Sequence, residues 1–307
     1  MFTFDVIVPG AAPDSGADAR TLGVEVTDRF AAARCGLGII DPQHALGARA
    51  DAPAAIEACL DVSVPPKGAR IVTIRPDLDS VGAMALLSLR SDGRPLSEAL
   101  RDRVRRIAAV DRFDRGPWPG VQETPATVEA LLAEGIGAEM SALAAAVSDR
   151  TEALGDRVQI ARHWLETGAT PAIYAEAARL RATRLVRSLT TGATRVEPWA
   201  DGRIGVAISL EPGILSLAYR LAPVVVALNP AYSFPRGTRG RKYTVARWAE
   251  GDADLDLAAA SLAVQEPGWG GQRGIKGSPQ ERPSRLLLEY VIEATEAGLP
   301  LARKRKI

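Results

Sequence analysis

Hydrophobic and polar positions recur along the chain at two periods, and the switches between them predict its elements. Phe2 to Val8 alternates as FTFDVIV and reads as a strand before a Gly- and Asp-rich loop. Val24 to Ile40 is mixed and fixes no element, and Asp41 to His44 (DPQH) reads as a turn. Pro53 to Leu60 fits a short helix with proline in its first turn. Arg70 to Ile74 (RIVTI) is a short β-rich run, RPDLDS an acidic loop, and VGAMALLSLR a helix, which together open an α/β unit. Leu96 to Arg106 predicts an arginine-rich helix, Ile107 to Val110 a short strand ending at Asp111, and DRFDRGPWPG a loop. From Thr124 to about Ser188, alanines and leucines return at spacings of three and four, the helical period. Thr190 to Gly202 is rich in Gly, Pro and polar residues and reads as a linker. Beyond it, IGVAISL, APVVVALN and KYTVARW read as strands. PGWGGQRGIKGSPQ reads as a Gly-rich loop, Pro283 to Ala297 as a last helix, and LARKRKI as a basic tail.

These elements predict a two-domain α/β protein: a mostly parallel sheet with flanking helices, then a smaller C-terminal α/β domain, with a cleft between them. The first domain spans 1–190, with 1–69 as an N-terminal extension or added edge, and the second spans 202–307.

The chain has 307 residues, 47% hydrophobic and 24% charged, an ordinary globular balance that excludes disorder as the main state. Its longest apolar run, Leu221 to Leu228, is far short of the roughly 20 residues of a membrane span. The N-terminus lacks the basic and apolar regions of a secretory signal. Cys35 and Cys59 read as small buried hydrophobes in a reduced cytoplasm. With 38 basic and 37 acidic residues, no global field attracts nucleic acid, so any polyanion site is local. Only two histidines occur, His44 and His163, which nearly excludes a zinc site of several His and Cys.

The candidate chemistry begins at Asp77 and Asp79. They follow a strand and precede a helix, the edge where open α/β sheets bind ligands. Two carboxylates there suit one hard cation, Mg²⁺ or Mn²⁺, whereas a simple helix cap needs one. RPDLDSVGA (Arg75 to Ala83) resembles the first motif of the DHH phosphoesterase superfamily, in which Asp77 and Asp79 fall on metal-binding aspartates and Thr73 stands where a histidine is expected. VDRFDRG (Val110 to Gly116) resembles its Asp-His-His motif: Asp111 matches the Asp, Arg112 and Phe113 replace both histidines, and Asp114 is an extra acid. GGQRGIKG resembles the glycine loop of its C-terminal (DHHA1) domain, with Gly270, Gly271 and Gly277 in register and Gln272 in place of histidine. The resemblance covers about Arg70 to Ala297.

The resemblance implies a DHH-like metal-binding domain and a DHHA1-like substrate domain. It implies metal-dependent hydrolysis of a phosphodiester or phosphoanhydride in a small nucleotide or short oligonucleotide. Asp77, Asp79 and Asp111 would be the catalytic acids, and Asp114 and His44 would join them on Mn²⁺ or Mg²⁺. His44 enters by subtraction, since the expected histidines are replaced and the DPQH turn is the one plausible substitute. Gly270, Gly271, Gln272, Arg273, Lys276 and Gly277 would hold substrate phosphate. Arg239, Arg241 and Lys242, on a basic loop with Arg236, would add charge. The alternative is a catalytically inactive relative that binds a nucleotide or protein partner. The partners implied are a phosphate-containing small molecule or short single-stranded nucleic acid, with no membrane; a homodimer is allowed.

Overall fold

A computed structural model of the protein describes residues 2–7, 17–43, 52–112, 118, 120, 127–129, 137–234, 237–249 and 251–300. They fall into two units, Met1–Asp111 with Ile136–Ala178, and Arg112–Gly135 with Arg179–Ile307. Both are mixed α/β. Among the described residues no helix is long and apolar enough to cross a membrane.

The first unit is built on four parallel strands, β1 (Thr3–Val6), β2 (Thr21–Val24), β3 (Ile39–Ile40) and β4 (Arg70–Thr73), in the order β1-β4-β2-β3. The segment read as an extension or added edge thus supplies both neighbours of β4. Ile71, Val72 and Thr73 are fully buried, as expected of a parallel strand covered on both faces. Helices α1 (Arg29–Ala32), α2 (Ala55–Ala58), α3 (Leu78–Ser91) and α4 (Glu98–Asp111) accompany this sheet. Helices α5 (Ala138–Val147) and α6 (Leu154–Thr167) follow, and α7 (Ala172–Thr190) starts in this unit. The hydrophobic core gathers around α3, where Met84, Leu86 and Leu87 meet Ile56, Ile71, Ile107, Leu143 and Trp164. Leu100, Val104, Ile107 and Ala108 return at spacings of three and four and are all buried on α4. The run expected as a strand from Ile107 to Val110 is therefore the last turn of that helix: the 3.6-residue period continues through it.

Short α2 is fixed against α3 at both ends. Arg90 Nη1 donates to the carbonyls of Cys59 and Val62 at 2.6 Å each, and Asp79 receives the first two amides of α2. A carboxylate at a helix N-terminus and a cation at its C-terminus both suit the backbone dipole. Gly82 makes this packing possible, since a Cβ there would lie 2.8 Å from Ile56 Cδ1 and 3.3 Å from Ile107 Cδ1.

The second unit carries a five-stranded mixed sheet in the order β5-β6-β7-β8-β9: β5 (Arg195–Trp199), β6 (Ile204–Ile208), β7 (Val224–Ser233), β8 (Arg239–Arg247) and β9 (Ile275–Gly277). Only β6 and β7 are parallel, joined through α8 (Ile214–Ala218). Helices α9 (Leu255–Gln265) and α10 (Leu288–Ala297) pack on its other core, with Val226, Val245, Leu262 and Val291. The segment read as a linker contains β5, an edge strand that tolerates Pro198 and pairs antiparallel with β6. Its turn to β6 uses Ala200 and Asp201 at φ 51° and 55°. The Gly-rich run likewise contains β9, which pairs with β8.

Candidate metal centre

The carboxyl ends of β2 and β4 carry the site. β4 ends at Thr73, and four residues later Asp77, with extended backbone, caps α3: its Oδ1 accepts from Ser80 N (3.0 Å) while Ser80 Oγ accepts from Asp77 N (3.0 Å). That box sets Asp79 on the inner side of the first turn. Asp79 is 1% exposed, and its two oxygens accept from Ala55 N at 2.7 Å and Ile56 N at 2.9 Å. Asp111 arrives as the last residue of α4. The fourth acid is Glu25, immediately after β2, in the left-handed region at φ 51°. Its amide donates to Ile40 O of β3 at 3.0 Å, which holds the kink in place. Such a backbone is uncommon for a residue with a side chain and gathers at functional sites.

Carboxylate oxygens of Glu25, Asp79 and Asp111 lie within 4.8 Å of one another. Asp77 joins them through a hydrogen bond with the Glu25 carboxyl. Burial, then the charges of Asp77, Asp79 and Asp111, push Glu25 up to about 11. Burial and the charge of Asp111 hold Asp79 well above the usual carboxylate range, against the pull of the Ile56 and Ala55 amides. Like charges crowded together and partly removed from water resist joint ionisation, and their titrations belong to the group. No Lys or Arg among the described residues pairs with Glu25, Asp77 or Asp79, and Glu25 Oε2 is buried without a hydrogen-bond partner. Hard oxygen donors converging in this way fit a divalent cation such as Mg²⁺ or Mn²⁺.

Three of the sequence-predicted acids therefore come together, Asp79 and Asp111 directly and Asp77 through Glu25. His44 and Asp114 lie outside the described residues, as do Phe113 and Arg236. Thr73, at the expected histidine position, is buried, and its Oγ1 accepts from Arg75 N at 3.3 Å. His163 is exposed on α6. Cys35 and Cys59 are both buried and free, as expected.

Glu25 escaped the sequence reading. Its signal is a short β-prone run, TLGV, followed at once by an acid, as RIVT is followed four residues on by Asp77.

In the second unit, Gly270 and Gly277 bridge each other, Gly270 N to Gly277 O at 3.2 Å and Gly277 N to Gly270 O at 2.8 Å. Gly271 needs its glycine: φ is 141°, and a Cβ would sit 2.5 Å from Ile275 O. Lys276 is buried, its Nζ 2.5 Å from Asp256 Oδ1 and donating to Gly271 O at 2.9 Å. Lys242 Nζ donates to the carbonyls of Ser278 and Pro279. Gln272 is half-buried, and its carbonyl accepts from Ile275 N at 3.2 Å. Arg241 Nη2 donates to Arg285 O at 3.4 Å, whereas Arg239 and Arg273 are exposed. Trp269 stacks on Tyr243 and donates to Glu266 Oε2 at 3.0 Å; Trp248 meets Tyr219 edge-on, so both tryptophans serve packing.

No protein-family profile matches the chain, and no curated protein matches it. Among solved structures the chain is similar to the pGpG-specific phosphodiesterase PggH from Vibrio cholerae, at 10% identity over 90% of this chain and 96% of that one, with a TM-score of 0.39. It is also similar to RecJ from Thermus thermophilus in complex with Mn²⁺, at 15% identity over 91% of this chain and 51% of that one, TM-score 0.32. The RecJ structure with Mg²⁺ matches at 15% identity over 71% and 34%, TM-score 0.29, so the chain spans a third to a half of RecJ.

Proposed function

We propose that the chain is a divergent DHH-type phosphoesterase that hydrolyses a phosphodiester or phosphoanhydride in a small nucleotide or short oligonucleotide. The observation that carries this reading is the convergence of Glu25, Asp79 and Asp111, with Asp77 beside them, at the carboxyl edge of a parallel sheet. When bound, Mn²⁺ or Mg²⁺ supplies Lewis-acid activation of water and neutralises charge on the phosphoryl group. The chain's own part is positioning. The α2 amides fix Asp79, the Ser80 capping box fixes Asp77, and the pairing of Glu25 with β3 aims a further carboxylate. Metal affinity then rises with pH, because the cation displaces protons from Glu25 and Asp79. In this reading the first unit is the DHH-like metal-binding domain, and the second, which starts at Arg179 and takes in Arg112–Gly135 rather than starting at 202, is a DHHA1-like domain that holds substrate phosphate through its glycine loop, Arg239 and Arg273. The protein acts in the cytoplasm.

The replaced histidines favour a second reading, a relative that binds a nucleotide without turnover. Mn²⁺-dependent hydrolysis of bis(p-nitrophenyl) phosphate and of short oligonucleotides, lost in EDTA and in Asp79→Asn, is the expected result. Nucleotide binding without turnover of any substrate by the Mn²⁺- or Mg²⁺-loaded protein would establish the second reading instead.

A further inference from the structure

Among the described residues six large apolar side chains are more than half exposed, and four of them form two matched pairs, one on α9 and one on α7. On α9, Leu257 is 52% and Val264 80% exposed. They stand two turns apart on one face, with exposed Ala260 and Ser261 between them. Leu255, Ala258, Ala259 and Leu262 are buried on the opposite face, so this stripe points away from the core.

Helix α10 lies beside α9 on the same core, and its Gly298 carbonyl accepts from Asp254 N at the start of α9 at 2.7 Å. Its outward face is acidic. Glu289, Glu293 and Glu296 are exposed at spacings of four and three, opposite buried Val291, Ile292 and Thr295. Glu296 pairs with Arg203, whereas Glu289 and Glu293 have no ion-pair partner among the described residues. The surface is therefore an apolar ridge with a row of carboxylates alongside.

Helix α7 presents the complement. Ile173 and Leu180 are 70% and 52% exposed, again two turns apart on one face. Arg184 and Arg187 continue that face toward the C-terminus. Arg184 reaches Glu211 at 3.6 Å, and Arg187 pairs with no described residue.

We propose that α7 of one copy of this chain docks on the α9–α10 surface of a second copy, an inference that does not draw on the metal centre. The apolar pairs match in spacing, and the charges that flank them are opposite. Leu180 and Arg187 lie two turns apart, about 10 Å along the helix axis, and neighbouring helices lie about 8–10 Å apart. A helix crossing the pair thus sets its apolar end on α9 and its arginines on the glutamates of α10. Covering the exposed apolar side chains drives the contact, and the charges select the partner and its orientation.

The test is sedimentation velocity of the full chain over a concentration series up to about 100 µM, where even a micromolar contact forms. Wild type should associate. Arg187→Glu and Glu293→Arg should each weaken association at least about 10-fold, since like charges then meet across the contact. The double variant restores an opposite pair and should recover most of the loss, which damage to the fold could not do. Val264→Ser should also weaken association, with helical content by circular dichroism unchanged, because the side chain is exposed. The contact joins two different faces, so dimers and larger species both count as association. A wild type that stays monomeric throughout the series would overturn the inference and leave the α9 stripe to a different protein. Association indifferent to both charge reversals, or losses that the double variant does not recover, would overturn it as well.

Discussion

Glu25 concentrates the physics of the site in one residue. A half-buried carboxyl group facing three others resists ionisation unless a cation is present. Its ordinary value of 4.5 is pushed up to about 11, so the folded chain without metal binds a proton there that the unfolded chain releases. That stabilisation is complete below about pH 4.5 and drains away as pH rises toward 11. Metal-free protein should therefore unfold at lower urea at pH 9 than at pH 6, and Glu25→Gln should flatten the difference; an unchanged slope would place the effect elsewhere. The same variant should bind Mn²⁺ at least about 10–100-fold more weakly by calorimetry, the loss typical even of groups one shell out from a metal. Asp77 and Asp79 were legible in the sequence because two acids in a strand–turn–helix exceed what capping needs. Glu25 was not, because a lone acid after a four-residue run looks like any strand end, and a φ of 51° is not written in the residue type.

At the scale of elements, the site depends on how closely α2 lies against α3. Gly82 is the contact point, and the α2 amides reach Asp79 because no side chain intervenes. Gly82→Leu should cost about 1–3 kcal/mol in urea unfolding through overpacking against Ile56 and Ile107. It should also weaken Mn²⁺ binding by shifting the amides that hold Asp79. Retained Mn²⁺ affinity in a folded Gly82→Leu would show that Asp79 is positioned without α2. The element pattern itself was largely readable where the period is long: α3 and α4 follow their apolar spacing, and β4, β6, β7 and β8 follow their β-branched runs. It failed where elements are short or cross a compositional break. The Ile107–Val110 run is β-like in composition and helical in phase. β5 hides in a Pro- and Gly-bearing stretch because an edge strand accepts proline. α9 carries apolar residues on all sides, including exposed Leu257 and Val264, so no face announces it.

For the whole molecule, a net charge of +1 leaves no long-range field, and the strong electrostatics are local to the acids of the first unit. All four acids belong to that unit, from Glu25 to Asp111, and none to the second. The free energy of cation binding is therefore delivered to one unit. A ligand at about 100 times its Kd stabilises the state that binds it by about 2.7 kcal/mol. Hydrogen exchange followed by mass spectrometry should show this as slower exchange with Mn²⁺ at the end of β2, in α2 and in the first turns of α3. The three central strands of the second unit's sheet, from Ile204 to Arg247, should exchange as before. Asp79→Asn should abolish the protection while leaving the exchange of the second unit unchanged. Protection that spread equally over both units in the wild type would mean that the cation's effect is not confined to the unit supplying its carboxylates. Protection confined to the second unit would move the cation site out of the acidic cluster altogether.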